Sequence, residues 1–314
     1  MKPIRIGVIG AGVMGERHLK SYLSNKQVNV KFIVDLDEIS LSKQANKYKV
    51  AGELSYQKIV NEVDAVSIVT PTKTHFPIAN FFISHGKHVL LEKPMAHKIN
   101  EANQLIKLAQ KHDITLAIGH IERFNPVISY ISKLLDEKKP LFIDIHREGP
   151  FDPRINDSDV ISDLMIHDID LLFYLLKESF EVKSASGLKY HTLLNDIVSA
   201  QLISQNGILV NLIGSRATVQ KSRSWKLVFP DECVYIDLVN LKIVTSAAGK
   251  KDKVLHFDKS NNSLNSEIDD FIFSISNKIK PRTNGEEGCR ALELSSKIHK
   301  IISSSVTHVD SIGV

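Results

Sequence analysis

The chain has 314 residues, 43% hydrophobic and 24% charged, which excludes wholesale disorder and is enough length for two cores. Its net charge of +4 is spread along the sequence, and the densest basic run, Lys250-Lys251-Asp252-Lys253, is broken by an acid and reads as a solvated loop, not a nucleic-acid surface. The 2 cysteines, Cys233 and Cys289, lack metal-ligand or framework spacing, and no run reaches the roughly 18 apolar residues of a membrane span, so a metal-free cytoplasmic protein with no membrane partner is expected.

At the start of the chain, Met1-Lys2-Pro3-Ile4-Arg5 and the apolar run after it mimic a secretory leader. Glu16-Arg17-His18 interrupts that run before any small-residue cleavage site. Short, almost continuously apolar runs follow at Ile4–Ile9, Val30–Val34, Ala65–Val69, His88–Leu91 and Thr115–Ile118. Such runs predict strands buried on both faces of a parallel sheet. Helical patterns alternate with them, Glu16–Leu23 after the first strand and Ile99–His112 before the last. The βαβ rhythm predicts a doubly wound α/β domain of Rossmann type, assigned to residues 1–121.

The first strand ends in Gly10-Ala11-Gly12-Val13-Met14-Gly15 and runs directly into a helix. Glycines at this spacing give a tight turn, close approach of the backbone to a pyrophosphate and close helix–strand packing. The helix start presents N–H groups and a partial positive charge to that pyrophosphate. Asp35 closes the second strand roughly 20 residues on, where an acid binds the adenosine ribose hydroxyls and repels a 2′-phosphate. NAD is therefore the expected cofactor, with Asp37 able to share the role. The third strand ends in Thr70-Pro71-Thr72, beside the cofactor crevice. His75 then reads either as a ribose or pyrophosphate neighbour or as a surface residue at a helix start. Glu92-Lys93-Pro94 ends the fourth strand. Lys93 could assist deprotonation of a substrate hydroxyl, or simply pair with Glu92.

From residue 122 to 314 the rhythm changes to a predicted α+β domain with a large, mostly antiparallel sheet. A strongly apolar helix spans Val160–Leu176, followed by strand patterns at Lys183–Tyr190, Asp196–Ser204, Ile208–Ser215, Trp225–Phe229, Cys233–Leu238 and Leu241–Thr245. Asn206-Gly207 marks a two-residue hairpin. The tail from Glu267 to Ser305 is helical, broken near Pro281–Gly285. Within the apolar helix Asp163, His167 and Asp170 share one face at i, i+4 and i+7. Three polar groups in one apolar helix are costly to bury unless they face a pocket or one another. Asp168 falls on another side and is expected at the surface or an interface.

Gly10–Gly15, Glu92-Lys93-Pro94 and the Asp163…His167…Asp170 helix together resemble the oxidoreductase family typified by glucose-fructose oxidoreductase and inositol dehydrogenase. Glu286-Glu287-Gly288-Cys289-Arg290-Ala291 resembles the same family's final helix, so the likeness covers nearly the whole chain. It implies an NAD-binding Rossmann domain, then an open-faced sheet used to form a homodimer or homotetramer. It implies catalysis at the domain cleft by Lys93 and His167, with Asp163 orienting the site. Where many members carry glycine, this chain has Met165.

A narrower resemblance is to the UDP-N-acetylglucosamine 3-dehydrogenase branch. It lies in Gly119-His120-Ile121-Glu122-Arg123-Phe124-Asn125-Pro126, Gly149-Pro150-Phe151-Asp152-Pro153-Arg154 and the segment Asp163 to Asp170. It implies that Arg123, Asn125 and Arg154, with Asp163 and His167, line a sugar-nucleotide pocket, where arginine suits a diphosphate. The alternatives are structural: Asn125-Pro126 is a good turn, and Arg154 can pair with Asp152. The branch further implies a 3-keto product passed to an aminotransferase, towards 2,3-diamino sugars of lipid A or related glycans. Rival readings are a dehydrogenase of inositol or a UDP-sugar uronate, and an NAD-binding sensor without chemistry. Retention of both Lys93 and His167 argues against the sensor. Which of the two is the base is open.

Overall fold

The computed structural model of the protein describes residues 2–153, 158–258, 260 and 262–304. In chain order the first elements are β1 (Ile4–Ile9), α1 (Val13–Ser24), β2 (Val28–Val34), α2 (Glu38–Tyr48), β3 (Ala51–Glu53) and β4 (Ala65–Ile68). Then come α3 (His75–Ser84), β5 (His88–Leu91), α4 (Ile99–Lys111), β6 (Leu116–Ile118), α5 (Pro126–Glu137) and β7 (Phe142–Glu148). A π-helical turn, Ile161–Met165, leads into α6 (Ile166–Leu176). The strands β8 (Phe180–Leu188), β9 (Ile197–Ser204), β10 (Leu209–Ser215), β11 (Ser222–Val228), β12 (Glu232–Asp237), β13 (Lys242–Ala247) and β14 (Lys253–His256) follow. Two helices, α7 (Ser263–Asn277) and α8 (Gly285–Ser304), close the described chain.

Two compact units result, Met1–Phe124 with Asn262–Cys289, and Asn125–Asn261 with Arg290–Val314. The first holds a six-stranded sheet in the order β3-β2-β1-β4-β5-β6, parallel throughout. Its strands are short and apolar because helices cover them, and every residue of β4 is buried. Ile6, Val8, Ala65 and Leu90 of the sheet pack with Tyr22 of α1 and with Leu264, Ile268, Phe271 and Ile272 of α7. That apolar face of α7 belongs to the first core, so the units do not follow a single cut after residue 121.

The second unit holds an eight-stranded sheet, β14-β13-β12-β11-β7-β10-β9-β8, antiparallel except where β7 runs parallel to β10. Sheet residues such as Ile143, Ile145, Leu202 and Leu212 pack with Ile128 and Ile131 of α5, Ile169 and Leu172 of α6, and Leu294 and Ile298 of α8. The other face of the central strands carries Asp144, His146, Asn211 and Lys226. The Asn206-Gly207 hairpin forms between β9 and β10, with Gly207 at φ +85°. Three strands go beyond the sequence patterns: β3, β7 and β14. The solvated run at Lys250–Lys253 ends where β14 begins, and a lysine suits such an edge strand. Among the described residues no helix is long and apolar enough to cross a membrane.

Candidate active site

Two glycines of the Gly10–Gly15 turn, Gly10 and Gly15, meet steric demands that a side chain could not satisfy. Gly10 has φ +114°, and a Cβ there would lie 2.8 Å from the carbonyl oxygen of Val69. A Cβ on Gly15 would sit 1.9 Å from the carbonyl oxygen of Gly10, so α1 packs against the turn only through a bare backbone. Gly12 has open space beside it. As the residue before α1, it has no side chain to cap the helix, which leaves the N–H groups of the first turn for a ligand. Asp35 Oδ2 accepts from Ala11 N–H at 2.6 Å, and Oδ1 accepts from Asp37 N–H at 2.9 Å. The carboxylate is thereby fixed beside the glycine turn with lone pairs remaining for ribose hydroxyls. Asp37 is engaged elsewhere, capping α2 through Ile39 and Ser40 N–H. An uncapped helix start, a bare cradle and a fixed acid at the end of β2 fit a dinucleotide such as NAD.

The next two strand ends are tied together by His75. Its ring is buried, with Nε2 2.8 Å from the Thr70 carbonyl and Nδ1 2.9 Å from the Pro94 carbonyl. It is not the surface residue of the second sequence reading. Burial pushes the imidazole below its usual value, against the pull of the two carbonyls. A neutral ring carries one N–H and donates to one carbonyl at a time. Thr70 Oγ1 accepts from Thr74, whose hydroxyl also lies 2.7 Å from the Pro71 carbonyl, so the Thr74 side chain closes the Thr70-Pro71-Thr72 turn. Lys93 is half-buried at the end of β5, and its N–H donates to Glu92 Oε2 at 3.1 Å.

In the second unit, Asp163 lies in the π-helical turn and His167 in the first turn of α6, both half-buried, while Asp170 is fully buried. A π turn is wider than an α turn and is frequent at functional sites. Met165 fills the space over Gly214, where a Cβ would come within 2.5 Å of Met165 Cγ. Asp168 corrects the sequence expectation: it is buried, not at the surface. Its carboxylate receives Arg147 Nε at 2.5 Å, Arg147 Nη2 at 3.0 Å and the Trp225 indole N–H at 2.9 Å. Strands β7 and β11 thus hold the helix that presents His167. Asp159 Oδ1 accepts from Ser162 N–H ahead of the π turn, and Oδ2 lies 2.8 Å from His299 Nε2 of α8.

Arg123 is almost fully buried; its guanidinium pairs with Glu287 and donates to the Arg282 carbonyl at 2.8 Å. Asn125 caps α5 through Val127 N–H and donates to the Leu238 carbonyl, both at 3.2 Å. Arg154 lies outside the described residues. Two contributors escaped the sequence patterns, His18 behind Glu92 and the Arg147–Trp225 pair behind Asp168. For His18 a signal existed: its i+4 spacing to Tyr22 puts it on the inward face of α1.

Residues 4–120 match the family model described as an oxidoreductase family with an NAD-binding Rossmann fold. The UDP-N-acetylglucosamine 3-dehydrogenase of Acidithiobacillus ferrooxidans is 34% identical over 299 residues, 92% of this chain and 94% of that one. A solved structure of that organism's enzyme superposes with a TM-score of 0.88 at 32% identity, covering 96% and 98% of the two chains. An inositol 2-dehydrogenase of Rhizobium meliloti is 24% identical over 229 residues, 70% of this chain and 69% of the relative. With the glycine turn, the fixed Asp35 and a likeness running nearly end to end, the chain belongs to the Gfo/Idh/MocA family of NAD-binding oxidoreductases and is a dehydrogenase.

Proposed function

We propose that the protein oxidises the 3-hydroxyl of UDP-N-acetylglucosamine to a 3-keto nucleotide sugar in an NAD-dependent reaction. The observation that carries this reading is the 34% identity to an enzyme of that specificity over 92% of the chain. The first unit serves as the NAD-binding domain, through Gly10, Gly12, Val13, Met14, Gly15, Asp35, the Thr70–Thr72 turn, His75 and Glu92. The second serves substrate binding and assembly into a homodimer or homotetramer.

In this reading Lys93 and His167 are the acid–base groups that act on the substrate's hydroxyl. One removes its proton and the other hydrogen-bonds the oxygen, with Asp163 orienting the sugar. Bound NAD supplies the acceptor for the hydride that leaves carbon 3. Proton removal by a positioned side chain contributes roughly 10²–10⁴ in rate. Arg154 is the proposed diphosphate contact. Arg123 and Asn125 are the other proposed substrate contacts, each also engaged in a buried bond. A cytoplasmic aminotransferase would consume the ketone on the way to a 2,3-diamino sugar for lipid A or a related glycan.

The test is absorbance at 340 nm with NAD and a panel of UDP-N-acetylglucosamine, UDP-glucose and myo-inositol, with an aminotransferase present to remove ketone. Signal from the N-acetyl nucleotide sugar alone is the expected result. Signal only from another substrate keeps the dehydrogenase and overturns the specificity.

A further inference from the structure

Behind Lys93, Glu92 is backed by two buried polar side chains, His18 and Ser67, that no step above uses. His18 sits on the inward face of α1 with no solvent exposure. Its Nδ1 lies 2.7 Å from Ser67 Oγ of β4, and its Nε2 lies 3.2 Å from Glu92 Oε1 at the end of β5. Glu92 turns its other oxygen to Lys93, with Oε2 accepting the Lys93 N–H at 3.1 Å. The remaining side is closed, since a Cβ on Gly119 would come within 2.9 Å of Glu92 Oε2. The carboxylate is therefore held between the interior and the segment that carries Lys93.

Because a carboxylate only accepts, His18 Nε2 must carry the proton in this pair. Ser67 suits either ring state, donating to Nδ1 of a neutral ring or accepting from a charged one. Burial alone would push the Glu92 carboxyl up. The His18 hydrogen bond and charge, and the Lys93 ammonium, outweigh it and hold Glu92 below the usual carboxylate range.

We propose that His18 is a positioning residue for the reaction: through Glu92 it fixes the Lys93 segment and maintains the negative partner of the Lys93 ammonium. The inference rests on the reading of Lys93 as an acid–base group. Titratable neighbours come from several elements. Tyr22 accompanies His18 on α1, His75 comes from α3 with His97 beside it, and His120 follows Gly119 after β6. Glu267 of α7 bears on Tyr22. Of these groups, His18 makes the side-chain hydrogen bond to Glu92.

Two polar substitutions separate this role from packing. In His18→Gln the amide reaches the place of Nε2 and can still donate to Glu92; in His18→Asn it reaches only that of Nδ1. Without its donor the half-buried Glu92 takes up a proton at higher pH. The acid limb of kcat/KM in His18→Asn should therefore move up by about one pH unit or more, while His18→Gln stays close to native. A second reading uses the protein without cofactor or substrate. Labelling of Lys93 by an amine-reactive reagent, followed by mass spectrometry, should be faster than native in His18→Asn near pH 5. That excess should shrink towards pH 9, where Glu92 is ionised in both proteins. An equal loss at every pH in both variants, a constant labelling ratio, or failure of both to fold would assign His18 to packing and overturn the proposal. Full turnover in Lys93→Met would instead overturn the acid–base reading of Lys93, independently of the labelling result.

Discussion

Two main-chain N–H groups orient the carboxylate of Asp35, the residue proposed to bind the ribose of NAD. Asp35→Ser removes that charge. It should weaken NADH binding about tenfold, or roughly 1.4 kcal/mol, and narrow the preference over NADPH. Titration of nicotinamide fluorescence with both cofactors measures this; an unchanged ratio would assign discrimination to another residue. Gly15→Ala should be worse, since its Cβ would overlap the Gly10 carbonyl and the turn would have to open. Residues of this kind were legible in the sequence because few alternatives share their chemistry: glycines between a strand and a helix, an acid at the next strand end. His18 was not. Its partners Ser67 and Glu92 lie 49 and 74 positions away, and beside Glu16 and Arg17 it reads as one more polar residue.

The helix bearing His167 is anchored at two points, and each anchor has its own signature. Arg147 and Asp168 are buried against each other and Trp225. Arg147→Met strands a buried carboxylate, so denaturant unfolding should show a loss of roughly 3–5 kcal/mol. A loss under 1 kcal/mol would mean that water reaches Asp168. The second anchor is His299 with Asp159. Burial works against the charged ring, but the Asp159 hydrogen bond and charge prevail and raise His299; the same pairing, again against burial, lowers Asp159. A raised histidine contributes fully below its unfolded value near 6.5, and that contribution fades as pH rises through the folded value. A lowered aspartate contributes above about 3.9 and fades as pH falls through its folded value. His299→Ala should therefore cost most between about pH 4 and 6.5 and little at pH 9. The cost is on the order of 1 kcal/mol or less, because His299 is partly exposed. Thermal unfolding across that range checks it, and a gap independent of pH would contradict it. Neither anchor shows in the helix's own periodicity, which placed Asp168 outside. Strand β7 was hidden for a related reason. Ile143, Ile145 and Arg147 point inward, while Asp144, His146 and Glu148 alternate with them and make the segment read as polar.

For the whole molecule, the change from βαβ rhythm to closely spaced strands revealed both sheets, because burial on both faces and burial on one face leave different hydrophobic periods. The return of α7 to the first unit was not visible. Its core partners Ile6, Val8 and Tyr22 stand at the other end of the chain, and the helix's own pattern shows an apolar face without showing what it covers. The chemistry proposed for the assembled chain is tested most directly with UDP-N-acetylglucosamine deuterated at carbon 3. The protein is incubated with NAD, and the reduced cofactor is weighed by mass spectrometry. The expected result is NADH one mass unit heavier, formed by the native protein and sharply reduced in Lys93→Met. Unlabelled NADH, or none from this sugar while another deuterated polyol yields the heavier cofactor, would contradict oxidation at carbon 3 of this substrate.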